Sequence, residues 1–358
     1  MMKKRLMPLA AVAILAISAI AAGSTQAVAK DAQSHYALVQ TTLEQHILPH
    51  FAALRTAAAQ LPEDVASTCR TGDDGAREKL TTAFRNTVLA WAGVSFVRFG
   101  PMSVDSRRER LSFWPDPRGI VNRQLRQVLA SSDMTVADSI TKQSAAVQGL
   151  PALEVLIEDR DVPLGPAPQS VFRCKLAEAI AVNISHIAEE IDTDWTKPGG
   201  WKDKMLRPGS DNEIYKEPQD AASELVKTLL TGFQLIADSE IKPQVEKKRG
   251  FDGPYAKANL PKAYYAAGIT SLDKLYQVMG LENFLDEDKD WVKNWAGGAW
   301  RTLRESDGAG GAAAGVPKQY APSLRKVFDM LTGIRKLVVG EMSQAAGLAV
   351  GFNELDGD

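Results

Sequence analysis

Leu80, Phe84, Val88, Trp91 and Ser95 follow one another at steps of four, four, three and four residues. That spacing returns to one side of a helix at each turn, whereas a strand alternates faces every residue. Leu176, Ile180, Ile184, Ile187 and Ile191 repeat the pattern, with Glu178, Glu189 and Glu190 off the stripe. Upstream of both, HYALVQTTLEQHILPHFAAL (35–54) reads as one long helix kinked by Pro49. Period-two alternation of any length is missing, so the chain is expected to be all-α.

The longest interruption is TKPGGWKDKMLRPGSDNEIYKEPQD, residues 196–220, rich in proline and glycine. It divides the chain into two helical-bundle halves, 30–195 and 221–358, each large enough for its own core. The second half offers helices near 220–247, 259–280, 285–305 and 321–346, interrupted at 307–317 by the loop DGAGGAAAGVP.

The N-terminus reads as a targeting segment. Lys3, Lys4 and Arg5 precede an apolar run from Leu9 to Ala22, and Ala27-Val28-Ala29 supplies a small-residue cleavage site. The run is short for a membrane span, and no cysteine stands near the cleavage site to carry a lipid. Residues 1–29 are therefore expected to be removed, leaving an exported protein that starts near Lys30 and has no membrane span. Cleavage takes three positive charges, so the formal charge of −2 becomes −2 − 3 = −5. A mildly acidic chain without basic clusters offers nothing for nucleic acid to hold. Two cysteines remain, Cys69 and Cys174; in an oxidising compartment they are expected to form a disulfide.

Two stretches are dense in special residues. RFGPMSVDSRRERLSFWPDPRG (98–119) is expected to be a non-helical, ordered loop with three prolines, two glycines and five arginines. Those arginines either bind an anion or pair with Asp105, Glu109 and Asp116. QGLPALEVLIED (148–159) reads as a helix start, because Pro151 suits a first turn whose N–H groups have no partner in any case. Leu153, Leu156 and Ile157 are expected to face inward.

AWAGVSFVRFGP, FWPDPRG, VQGLPALEVLI, FRCKLAEAIAVNI and the terminal GFNELDGD together resemble the imelysin family, also called insulin-cleaving membrane proteases. The blocks stand in the family's order and span the chain from the first bundle to the last residue. The resemblance implies a bacterial periplasmic or envelope protein made of two helical bundles, a link to iron acquisition, and iron-uptake components of the envelope as partners. It also implies a Gly-x-His-x-x-Glu metal turn, since some members are described as metallopeptidases. Here Gly149 and Glu154 match that turn and Pro151 replaces its histidine, as in the branch reading Gly-Leu-Pro-Ala-Leu-Glu.

The chemistry agrees with that departure. Histidine and glutamate three residues apart share a helix face and can reach one cation, whereas proline offers no ligand atom. Iron or zinc is possible as a cofactor but is not supported by this motif, and no catalytic or metal-ligating residue is assigned. His46 and His50 have the i, i+4 spacing of zinc sites without the glutamate of H-E-x-x-H, and His50 is expected to be a partly buried core residue. His186 and Glu189 are expected on a solvated face. Ser271-x-x-Lys274 and Ser210-Asp211-Asn212 read as chance matches to serine-enzyme motifs, whose K-T-G and sheet are missing. The candidate ligand-binding residues are Arg98, Trp114, Asp116, Arg118, Gly149, Glu154, Asn353 and Asp356, each with an alternative role as an ion pair or cap; the resemblance implies a cleft between the two bundles near the motif turn. The expected function is a non-catalytic binding or accessory protein, with an envelope metallopeptidase as the alternative.

Overall fold

The computed structural model describes residues 33–248, 252–306 and 323–348. All regular structure among them is helical. Residues 1–29, expected to be a leader, residues 307–317, expected to be a loop, and the candidates Asn353 and Asp356 lie outside the described residues.

Helix α1 runs over 33–58, with a π-helical turn at Leu43–Ile47 directly before Leu48–Ala58. The wide turn precedes Pro49, whose missing N–H and bulky ring disturb the ordinary i→i−4 ladder there. Helix α2 (Leu61–Thr71) ends at Gly72 in the left-handed region, and α3 (Asp74–Ala92) starts from an Asp73 side chain that accepts the Ala76 N–H at 2.8 Å. The face read from the sequence is the buried one, from Leu80 to Ser95. Helices α4 (Ile120–Ser131) and α5 (Leu150–Ile157) are short, whereas α6 (Val171–Thr196) runs for 26 residues. All five stripe residues of α6 are buried.

The second half begins with α7, which runs through Pro218–Gln234, a π turn at Leu235–Ile241, and Lys242–Val245. It continues with α8 (Pro261–Met279), α9 (Asp290–Ser306) and α10 (Leu324–Leu337), the last extended to Ala345. Within 196–220 the chain still forms the short helix Trp201–Leu206. Helix α8 lies against α3, and the buried apolar side chains form one continuous cluster.

The stretch 98–119 differs from the loop expected for it. Gly100–Ser106 is a 3-10 segment and Arg107–Leu111 a turn of α-helix. The arginines explain the order. Arg107 bridges Asp194 at 2.6 Å and Glu190 at 3.3 Å on α6, and Arg110 donates to Gln148 at 3.0 Å and to Asn183 at 3.3 Å. Arg108 takes one of the expected local partners, Glu109.

Cys69 on α2 and Cys174 on α6 are bonded, with Cα atoms 5.7 Å apart. Among the described residues no helix is long and apolar enough to cross a membrane.

Candidate functional site

Helix α5 starts at Gly149, where the backbone passes against the end of Arg107–Leu111. A Cβ there would stand 2.4 Å from the Leu111 carbonyl oxygen and 2.5 Å from that of Arg110. The glycine is thus required by close backbone approach, since its φ of −114° is ordinary. Gly149→Ala is expected to destabilise the fold by about 2–3 kcal/mol, measured by urea unfolding, because both obstructing atoms are backbone. Pro151 sits in the first turn, and Leu153 and Leu156 are fully buried. Gln148, also buried, ties the turn to Arg110 and to Asn183 of α6.

Glu154 is bonded outside that network. It is 7% exposed and its Oε1 accepts the Ala258 N–H at 3.0 Å. Burial pushes its pKa up to about 7, against the opposing pull of the Ala258 N–H and the Lys257 charge. Neither Arg98 nor Arg118 forms an ion pair with it.

The segment that meets Glu154, residues 252–260, is unusual in backbone conformation. Gly253, Tyr255 and Asn259 all have positive φ, at 89°, 54° and 57°. For an aromatic side chain this is a rare, strained conformation. Tyr255 is held in it by packing edge-on to Phe84 and by a 2.8 Å hydrogen bond between its hydroxyl and Ser112. Its ring also lies 5.5 Å from Tyr264.

Behind the tyrosines lies a second buried acid, Glu240, 1% exposed on the π turn of α7. The Tyr264 hydroxyl hydrogen-bonds its carboxyl, and Arg98 acts on it electrostatically. Its Oε1 is buried with no hydrogen-bond partner among the described residues. Burial raises its pKa to about 8, and the tyrosine hydroxyls of 255, 264 and 265 are pushed up for the same reason. Tyr265 donates to the Glu240 backbone carbonyl at 3.2 Å and accepts from Gln244 at 3.1 Å. Two carboxyls and three phenols therefore meet where the motif turn, the Arg107–Ser112 stretch and α7–α8 converge.

Of the sequence candidates, Gly149 and Glu154 form this site, and Arg98 reaches it through Glu240. Asp116 caps α4 with both oxygens, on Ile120 N–H at 2.8 Å and Val121 N–H at 2.9 Å. Arg118 is exposed, and Trp114 precedes a cis bond to Pro115. Glu240, Tyr255, Tyr264 and Ser112 were not among the candidates. The one local signal for them was tyrosine usage, since 255, 264, 265 and 276 hold four of the chain's seven tyrosines.

All four histidines are placed, and none acts on Glu154. His35 contacts the Ala346 carbonyl at 2.7 Å and His186 is exposed. His46 is fully buried with its ring 4.1 Å from that of His50, and its Nε2 faces Ser271 Oγ at 3.5 Å. His50 is half-buried, as a core-facing residue should be. Among the described residues no group of three His, Cys, Asp or Glu side chains is placed to hold a metal ion.

A family model described as Imelysin matches residues 47–295. No curated protein matches the chain. Two solved structures share the fold. An imelysin-like protein from Psychrobacter arcticum 273-4 superposes with a TM-score of 0.68 at 19% identity, covering 90% of this chain and 98% of the other. A putative iron-regulated protein A precursor from Parabacteroides distasonis ATCC 8503 gives 0.66 at 12%, covering 87% and 95%.

Proposed function

Because the chain belongs to the imelysin family, we propose that it is a non-catalytic binding or accessory protein of the bacterial envelope that serves iron acquisition. The observation that carries this reading is the state of the motif turn. Pro151 removes the imidazole, and the Glu154 carboxyl is buried and engaged by the Ala258 N–H. A lone carboxyl in that position is a poor transition-metal ligand, and four or more donors are the rule for such ions. The alternative, an envelope metallopeptidase, requires a histidine beside Glu154, and the four histidines lie elsewhere.

In this reading residues 30–195 and 221–358 are two bundles joined by 196–220, and the acid and tyrosine cluster at their junction receives the ligand or partner. The word "iron-regulated" in the name of the Parabacteroides relative supports the iron link. Export with cleavage near Ala29 into the periplasm completes it, and an oxidising compartment suits the Cys69–Cys174 bond.

The test is a deletion strain grown with and without an iron chelator. A growth defect confined to chelated medium, restored by the parent gene, is expected; equal growth in both media overturns the iron role. Mature protein from the same cells should begin near Lys30 by mass spectrometry, and an intact Met1 would contradict export. Incubated with an unfolded polypeptide, the purified protein should leave it uncut.

A further inference from the structure

Helix α4 and the turn before it carry three arginines, Arg118, Arg123 and Arg126, and residues 117–132 contain no aspartate or glutamate. All three are exposed, and none forms an ion pair among the described residues. The two on the helix lean the same way. Arg123 Nη1 donates to the Arg118 carbonyl at 3.4 Å and Arg126 Nε to the Asn122 carbonyl at 3.2 Å. Both guanidinium groups are thereby drawn toward the first turns of α4, where Arg118 stands. Each spends one of its five N–H donors on that bond, and Arg118 donates to nothing among the described residues.

The acid beside them, Asp116, has its two oxygens on the N–H groups of Ile120 and Val121. Counting it, residues 116–132 hold a charge of 3 − 1 = +2, in a chain whose formal charge is −2. The sign and the size of this face select its partner. Guanidinium forks match carboxylates through pairs of parallel hydrogen bonds. From Arg118 to Arg126 the face spans roughly 12 Å, at 1.5 Å per residue, which is the length of a short peptide segment. A membrane surface is a poor fit, because α4 has no apolar side to immerse. Its Val121 and Leu125 are buried, and Asn122 and Gln127 on its outer side are polar and exposed.

We propose that the face of α4 bearing Arg118, Arg123 and Arg126 docks an acidic segment of a partner polypeptide, whose carboxylates pair with the three guanidinium groups. The face shares no residue with the Glu154 cluster and serves such a partner whatever that cluster receives.

Fluorescence anisotropy of a labelled oligoglutamate peptide, titrated with the full chain at low ionic strength, tests this. Saturable binding is expected, weakening about tenfold as salt is raised to physiological strength. Arg123→Glu combined with Arg126→Glu should weaken it about tenfold or more, since each change replaces an attraction by a repulsion. Lys326→Glu combined with Lys336→Glu makes the same change of charge on exposed residues of α10. That pair should leave binding within about twofold of the parent. Melting temperatures equal to the parent's show both double variants folded. Phosphatidylglycerol vesicles should not retain the chain. Absence of saturable peptide binding, full binding by the α4 variant, an equal loss in the α10 variant, or vesicle retention that the α4 variant loses would each overturn the proposal.

Discussion

Removing the Cys69–Cys174 bridge with Cys69→Ala and Cys174→Ala is expected to lower stability by about 4–5 kcal/mol. The bond closes a loop of 105 residues, so the unfolded chain loses much conformational freedom when it is present. It also joins α2 to α6, two helices packed against each other with both cysteines buried. With about 2.1 cal/mol/K of unfolding entropy per residue over roughly 330 residues, the loss corresponds to a fall of about 6–7 °C in Tm. Calorimetry on the double variant measures it. A Tm within a degree of the parent would mean that the packing of α2 on α6 alone constrains this region.

The second large effect is a stability that declines as the solution becomes alkaline. Glu240 is held at about 8 and Glu154 at about 7 in the folded chain, against an ordinary 4.5. Between those values the unfolded chain gives up its protons while the folded chain retains them. The contribution is therefore whole below about 4.5 and is lost as the pH rises through 7 and 8. At about 1.4 kcal/mol per unit, Glu240 alone costs on the order of 4 kcal/mol at pH 9 relative to pH 4.5. His46 acts on the acid side with the opposite sign. Burial, followed by the charges of His50 and Lys274, holds it down to about 2, so its contribution is whole above 6.5 and lost as the pH falls toward 2. At pH 5 that loss is on the order of 2 kcal/mol. Urea unfolding at pH 5, 7 and 9 separates the groups. Relative to the parent, Glu240→Gln should be about 4 kcal/mol more stable at pH 9 than at pH 5. An unchanged pH profile in that variant would show that Glu240 ionises freely in the fold.

The parts of this molecule that were legible in the sequence are those encoded by local spacing. The faces of α3 and α6, the helix start at Pro151, the solvated His186 and the paired cysteines all depend on near neighbours or on a count of two. Other features depend on distant segments. Arg107 and Arg110 appeared to have partners at 105, 109 and 116, yet α6 crosses closer and takes them at 183, 190 and 194. Asp116 stood among the site candidates with a cap as its alternative role, and the cap is what it forms: the next helix begins four residues later and uses both its oxygens. Glu240 gave no pattern, and Tyr255 gave only the local density of tyrosines. Glu240 is buried on the π turn of α7, and Tyr255 is buried at a φ of 54°. Neither departure from regular geometry is written in hydrophobic periodicity.

The central claim is that the turn from Gln148 to Asp159 keeps its glutamate as an internal hydrogen-bond acceptor and not as a metal ligand. Calorimetric titration of zinc and ferrous iron into the native chain, Pro151→His and Glu154→Ala tests it most directly. The native chain and Glu154→Ala should give the same weak, unsaturated heats. Pro151→His should bind more tightly, because an imidazole would then stand one helical turn from Glu154. Tight binding by the native chain that disappears in Glu154→Ala would contradict the account and restore the metallopeptidase reading.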